Sequence, residues 1–399
     1  MRVTWGEMKK LWNWKMLAVI GVVCLMFYIM FMSYYVEYYK KGNHPQAELI
    51  TYAEQLARRY GTSVTPEQLA DFIAGERTPL IAEAESHIQT MPIFAEAGIY
   101  SFDDYITIKE ERWERESTQA EIDAVWTLLS EECDYVGFKW EALEHYERNY
   151  VYSPNTHENP DSFYHVLNER ERQRFDESVA NGEYRAILSY WTYSNTNDYV
   201  MFFSVLLMLS VLILVSPLLV SDRNGNVHHL QYSSKLGRKV VYRQFAATLL
   251  SAFALTTLLM LIFGAVYSVN GTQLFWNNNL NSDFNIGIYM VFSLTYGEWV
   301  MTMVALMYIL ALGVSALAFI LSRFSRNMIT LVMKLIPIFA AMAYLSVSVF
   351  NQLFTIHYNQ LYQLFRVFGT EAYVCGVFAV IALAAALFVI HREKRVDVM

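Results

Sequence analysis

Residues 199–220 read YVMFFSVLLMLSVLILVSPLLV, 22 residues without a single charge. A bilayer core about 30 Å thick is crossed by about 20 mostly apolar residues in helical form. In lipid only helices and closed barrels satisfy every backbone N–H and C=O. The apolar character is continuous rather than alternating, which selects a helix. Five more stretches share it: 16–35, 245–269, 299–321, 328–350 and, slightly short, 373–390. The expected fold class is therefore an all-α membrane protein with six transmembrane helices.

The composition agrees. The chain has 399 residues, 55% of them hydrophobic and only 17% charged, against about 25% charged in ordinary soluble domains. A mean hydropathy of +0.22 is modest, as expected when strongly apolar spans are diluted by a polar part. Aromatics reach 16%, which argues against disorder. The net charge of −8 gives no reason to expect nucleic-acid binding.

Basic residues set the orientation. Arg2, Lys9, Lys10 and Lys15 precede span one, opposed by Glu7. Arg223, Lys235, Arg238, Lys239 and Arg243 follow span two, opposed by Asp222. Arg323 and Arg326 link spans four and five, and Arg392, Lys394 and Arg395 follow span six. The loop after span three carries no basic residue, and in the loop after span five Arg366 is balanced by Glu371. Basic and neutral or acidic ends alternate at every crossing, so both termini are expected in the cytoplasm of a plasma membrane. Span one is expected to be a retained signal anchor. Its apolar run exceeds the usual signal-peptide core and ends in Met-Ser-Tyr-Tyr rather than a small-x-small site.

Residues 36–198 then form an extracytoplasmic domain. It holds 31 Asp and Glu against 14 Lys and Arg, a net of −17, leaving +9 for the rest. The simplest reading of this acidity is a solvated surface; attraction of a cationic substrate or partner is the other. The pattern predicts mostly helix. Leu49, Tyr52, Ala53, Leu56 and Tyr60 fall at helical spacing before Gly61. Thr65 to Gln68 forms a capping box with Pro66 at the first helical position, opening a stripe of Leu69, Phe72 and Ile73 that stops at Gly75. Thr118 to Glu121 is a second box, leading into Ile122, Val125, Trp126 and Leu129. Cys133 is the only cysteine outside the spans, so no disulfide holds this domain. That fits a bacterial cell surface. Asn270-Gly271-Thr272 matches a glycosylation sequon of little weight.

Nothing looks catalytic. The chain has no phosphate-binding G-x-x-x-x-G-K-[ST] loop, no H-E-x-x-H, no C-x-x-C and no G-x-S-x-G. His157, Glu158 and His165 lie in a Pro/Asn-rich stretch and read as incidental, as do His228 and His229; no metal site is expected. Lys334, two turns inside span five, is roughly 10 Å deep at 1.5 Å per residue. It either snorkels or lines a substrate path. Pro337 and Pro217 are expected to kink their helices. Residues 1–15, with Trp5, Trp12 and Trp14 among Lys9, Lys10 and Lys15, suit an interfacial helix on the inner leaflet. Within 351–372, a helix from Phe354 to Phe368 presents Leu361, Leu364, Phe365 and Phe368, either re-entering the outer leaflet or lying on the surface.

The loop 221–244 is more structured than positive charge alone requires. It reads SDRNGNVHHLQYSSKLGRKVVYR up to Arg243. Gly225 breaks the helix, Leu230 and Tyr232 are apolar within a polar loop, and Gly237 bends the chain before Arg238. This suits docking to a cytosolic partner. The pattern Asp222, Gly225, Leu230, Ser233-Ser234, Lys235, Gly237-Arg238 and Arg243 resembles the coupling loop of permease subunits of type-2 ATP-binding-cassette exporters. Arg243, where the family usually has Lys, and Asn226, where Thr is common, depart from its pattern. The resemblance takes in the six spans, the interfacial N-terminal helix and the 351–372 region, but not 36–198. It implies a dimeric transport subunit, with itself or a related chain, that exports an amphipathic, lipid-like or peptide substrate. A separate ATP-binding subunit would carry ATP and Mg; this chain would bind no cofactor and catalyse nothing. Spans one, two and five would line the path, and 391–399 would be a cytoplasmic tail. A six-span sensor or assembly scaffold, with a ligand-binding exterior domain, is the alternative.

Overall fold

The computed structural model describes residues 2–41, 45–111, 116–150, 163–225, 237–282 and 289–393. They are mostly helical, with no strand among them; isolated bridges pair Ser63 with Ala186 and Asn279 with Thr295. Six helices among them are long and apolar enough to cross a membrane: Trp14–Met32, Tyr190–Asn224, Val240–Ser268, Tyr296–Arg323, Met328–Phe350 and Thr370–Arg392. The chain is thus a multi-pass membrane protein. It separates into two compact units, Met1–Val36 with Asn195–Gly271 and Glu298–Met399, and Glu37–Ser194 with Thr272–Gly297.

The first unit contains the spans. Most helices outrun their apolar runs, because capping and buried polar residues extend them. Span one starts at Trp14, not at 16. Asn13 caps it, its side-chain oxygen accepting from the Met16 N–H at 3.0 Å, and the helix widens into a π-turn over Tyr28–Met32. Span two starts at Tyr190, nine residues before the apolar run. Its first turns carry hydrogen bonds: Thr196 to the Tyr267 hydroxyl at 2.7 Å, and Asn195 to the same hydroxyl at 3.0 Å. The Tyr35 carbonyl ending span one accepts from the amides of both Asn195 and Asn270, each at 2.9 Å. Asn270 is buried by this contact, so the sequon asparagine has a structural role.

Beside Pro217 span two divides into Tyr190–Val215 and Pro217–Asn224, with Ser216 between them still in helical backbone. Span two is the central helix: Leu206, Leu207, Val211, Leu214 and Val215 are fully buried. Span five meets it through the Ser346–Ser204 hydroxyl pair at 2.8 Å. Spans one and five leave broad apolar faces uncovered, Val22, Leu25, Ile29 and Met30 on one and Ile329, Met333, Ile336 and Tyr344 on the other. Lipid or another chain can cover such faces without cost.

Residues 351–372 hold a shorter helix than Phe354–Phe368. Turns dominate 351–358, and between the ends of spans five and six only Gln360–Phe365 is helical. Gln352 and Phe354 take left-handed backbone, φ +57 and +67. Side chains from two spans hold them there: Asn197 accepts from the Gln352 N–H at 2.9 Å and Glu371 from the Phe354 N–H at 3.2 Å. Asn359 caps the short helix through Leu361 and Tyr362 and donates to the Asn351 carbonyl. Leu364 and Phe365 are exposed.

The second unit differs from the expected 36–198 domain. Asn195–Asp198 belong with the spans, and the segment after span three, Thr272–Gly297, joins the unit. Polar side chains stitch it in place: Asn281 donates to Glu183 at 2.7 Å, Asn278 to the Ile187 carbonyl, and Ser282 to the Ala186 carbonyl. Both capping boxes form, at Thr65 and Thr118. The helix opened by Thr65 does not stop at Gly75. It runs Pro66–Thr90, because the buried stripe continues through Leu80, Ala84 and Ile88. That burial outweighs the roughly 1 kcal/mol a glycine costs a helix interior. On the helix Gln119–Leu128, Val125 packs inward, while Ile122 and Trp126 stay exposed.

Candidate functional site

The residues flanking the 221–244 loop meet at one buried polar cluster. Asp222 lies in the last turn before the loop, and Gln244 in the first turns of the helix after it. The N-terminal helix Arg2–Leu11 supplies Glu7 and Lys10. The Lys10 ammonium donates to both Glu7 oxygens at 3.0 Å and to the Asp222 oxygens at 3.0 and 3.1 Å. The Gln244 amide donates to Asp222 at 2.8 Å and to Glu7 at 3.2 Å. Glu7, Asp222 and Gln244 are all buried. Two carboxylates confined together repel unless a cation and donors separate them, and here Lys10 and Gln244 do both. Burial opposes the Lys10 charge, yet the bonds to Glu7 and Asp222 outweigh it and raise its pKa above the ordinary lysine value.

An apolar floor fixes the cluster. Leu219, Val240, Val241, Phe245, Phe319 and Ala386 pack together, drawing residues from spans two, three, four and six, with Val3 of the N-terminal helix against them. Arg223, next to Asp222, reaches the end of span four. It donates to the Ser325 carbonyl at 2.6 Å and to the Arg323 carbonyl at 2.8 Å. The Ser322 hydroxyl accepts from the Leu219 N–H at 3.1 Å. The loop's entry is therefore tied at once to the N-terminal helix, to span three and to the span four–five link.

Of the loop residues singled out in the sequence, Asp222 is in the cluster and Gly225 ends the helix Pro217–Asn224. Leu230, Ser233, Ser234 and Lys235 lie outside the described residues, as do His157, Glu158, His228 and His229. Gly237 has φ +51, a left-handed turn that favours glycine, and begins the one-turn helix Gly237–Lys239. Arg238 is its middle residue, and Arg243 stands one position before Gln244. Lys334 is apart from the cluster. Its ammonium donates to the Phe324 carbonyl at 2.8 Å, reaching back to the link before span five, as a snorkelling lysine does.

Glu7, Lys10 and Gln244 were not singled out from the sequence. A signal was there: Val3, Glu7 and Leu11 share one face at i, i+4 spacing, so the single acid of a basic helix sits on its apolar side. Among the described residues no cluster of three or more His, Cys, Asp or Glu could hold a metal ion. The arrangement links the ends of the N-terminal helix and of spans two and three. No family of proteins, no curated protein and no solved structure matches this chain.

Proposed function

We propose that this chain is the permease subunit of an ATP-binding-cassette exporter, moving an amphipathic, lipid-like or peptide cargo with energy from a separate ATPase subunit. The observation that carries the reading is the cluster of Glu7, Lys10, Asp222 and Gln244 at the roots of the 221–244 loop. A loop that only connected two spans would need no such anchorage. A loop that receives force does, because a push on it must reach the helices instead of being lost in side-chain motion.

In this reading both termini and the 221–244 loop face the cytoplasm, and the unit of Glu37–Ser194 with Thr272–Gly297 lies outside. The partner binds ATP and Mg, and ATP closes the ATPase pair. Residues from Gly225 to Arg238 dock to it. Asp222 and Gln244 pass the motion to spans two and three, Arg223 to the span four–five link, and Lys10 to the N-terminal helix. The six-helix layout and the basic loop ends support this, as do the uncovered faces of spans one and five, where a second permease subunit would pair. The chain supplies a two-state element and the partner the free energy. The test is reconstitution with the companion ATPase. Substitutions across 225–238 should abolish transport while leaving membrane insertion intact, and survival of transport through drastic changes there would remove the assignment.

A further inference from the structure

The unit of Glu37–Ser194 with Thr272–Gly297 contains a cavity of about 610 Å³, within the size range of small-molecule sites. Its apolar lining is Pro45, Leu49, Ile106 and Trp191, and its polar lining is unequal in sign. Lys109 is already engaged, paired with Glu141 at 2.9 Å. Arg148 turns its Nε toward the Glu144 carbonyl oxygen at 3.4 Å. Burial and the nearby Arg148 hold the His145 pKa below its ordinary value, keeping the ring neutral at pH 7. The carboxylates of Glu110 and Glu144 have no cationic partner among the described residues. The lining thus holds three carboxylates, Glu110, Glu141 and Glu144, against two cations, Lys109 and Arg148. That acidic excess beside Trp191, in a region of net −17, forms an environment for positive charge on an apolar body.

We infer that this cavity binds a small organic cation, a protonated amine on an aromatic or branched apolar body, with Trp191 receiving the body and Glu110 and Glu144 the ammonium. The site does not depend on the transport reading, since it stands on this unit alone. The acidity then has a use beyond solubility: it draws cations to the unit and concentrates them at the cavity mouth.

Three probes of one shape test this on the full chain in nanodiscs of zwitterionic lipid, with empty discs as the blank. They are phenethylammonium, 2-phenylethanol and phenylacetate, titrated by ligand-observed NMR. The cation should bind about tenfold or more tighter than the alcohol, as a charge-assisted contact gives, and the anion weakest. The double variant E110Q/E144Q should lower the cation to the level of the alcohol, and W191A should weaken cation and alcohol together. Glu110 is exposed, so E110Q alone disturbs packing least and should still cost the cation several-fold in affinity. Equal binding of the three probes would overturn the assignment, as would absence of cation binding, or an unchanged preference for the cation in either carboxylate variant.

Discussion

Lys10 and Asp222 stand 212 positions apart in the chain, and the lysine ammonium donates to both oxygens of the aspartate, at 3.0 and 3.1 Å. With Glu7 and Gln244 they join the N-terminal helix to both roots of the 221–244 loop. A helix that merely rested on a membrane surface would present its charges to water. This one turns Glu7 inward and keeps Trp5 and Lys9 outward, with Lys9 over the Trp5 ring at 5.9 Å.

Removing either half of this contact should free the N-terminal helix. Lys10→Ala leaves two buried carboxylates without their cation, at a cost of about 1–3 kcal/mol. Protease cleavage near residues 11–13 should speed up, while the reciprocal exchange Lys10→Asp with Asp222→Lys should recover much of the protection. Unchanged cleavage in Lys10→Ala would show that the contact carries no load.

In the other unit, Arg174 and Glu183 form a buried ion pair with Nη2 to Oε2 at 2.6 Å, and Asn281 donates to the same oxygen at 2.7 Å. Glu183→Ala strands a buried guanidinium, so the unit should lose about 3–5 kcal/mol, read as a lower unfolding midpoint of the full chain. Arg174→Met with Glu183→Met should cost less than either single change.

The same pair sets an acid limb. Burial works against the Glu183 charge, but Arg174 and Asn281 prevail and hold its pKa below the usual carboxylate value. A folded pKa that is depressed means that the unfolded chain binds the proton more readily. The stabilisation is therefore complete above the ordinary carboxylate range and disappears as pH falls through the folded value. His145, depressed by burial and by Arg148, acts with the same sign but earlier. Its stabilisation starts to decline below about pH 6.5. Stability against pH should fall in two stages on acidification, and His145→Gln should remove the first and Glu183→Gln the second. A single stage unaffected by either substitution would refute this assignment.

Gly237 occupies a left-handed turn at φ +51. Gly237→Val strains it, and Arg238→Glu reverses the neighbouring charge. Each should lower transport per ATP hydrolysed by about tenfold, within the usual range of coupling energies, with the chain still inserted in the membrane. Transport at the wild-type ratio in both variants would place coupling elsewhere.

Lys334→Met removes the ammonium and with it the hydrogen bond to the Phe324 carbonyl. Transport should stay near the wild-type rate. Its loss in a correctly inserted variant would place this lysine on the cargo's route.

The spans were legible in the sequence because burial in lipid demands local, contiguous hydrophobicity, as in 199–220. The capping boxes at Thr65 and Thr118 were legible because each closes within four residues. What escaped is tertiary. Asn278, Asn281 and Ser282 bind their segment to the second unit through backbone carbonyls and Glu183, contacts that leave no hydropathy signature. Gly75 marked a helix end by propensity, but packing of Leu80 and Ala84 overrode it. Trp126 sat at a helical spacing that promised burial, yet it stays exposed. At the candidate site, Asp222 was found through the loop pattern alone. Its partners Lys10 and Gln244 belong to other helices, and no periodicity connects residues 212 positions apart.

The central claim is tested most directly by isolating the tagged full chain from its native membrane in mild detergent and identifying what stays bound, with ATPase activity assayed on the same material. The account predicts an ATP-binding-cassette ATPase chain in stoichiometric amount, retained by the wild type and released by Gly237→Val and Arg238→Glu. Transport by the purified chain alone in liposomes, with no such companion present, would contradict it.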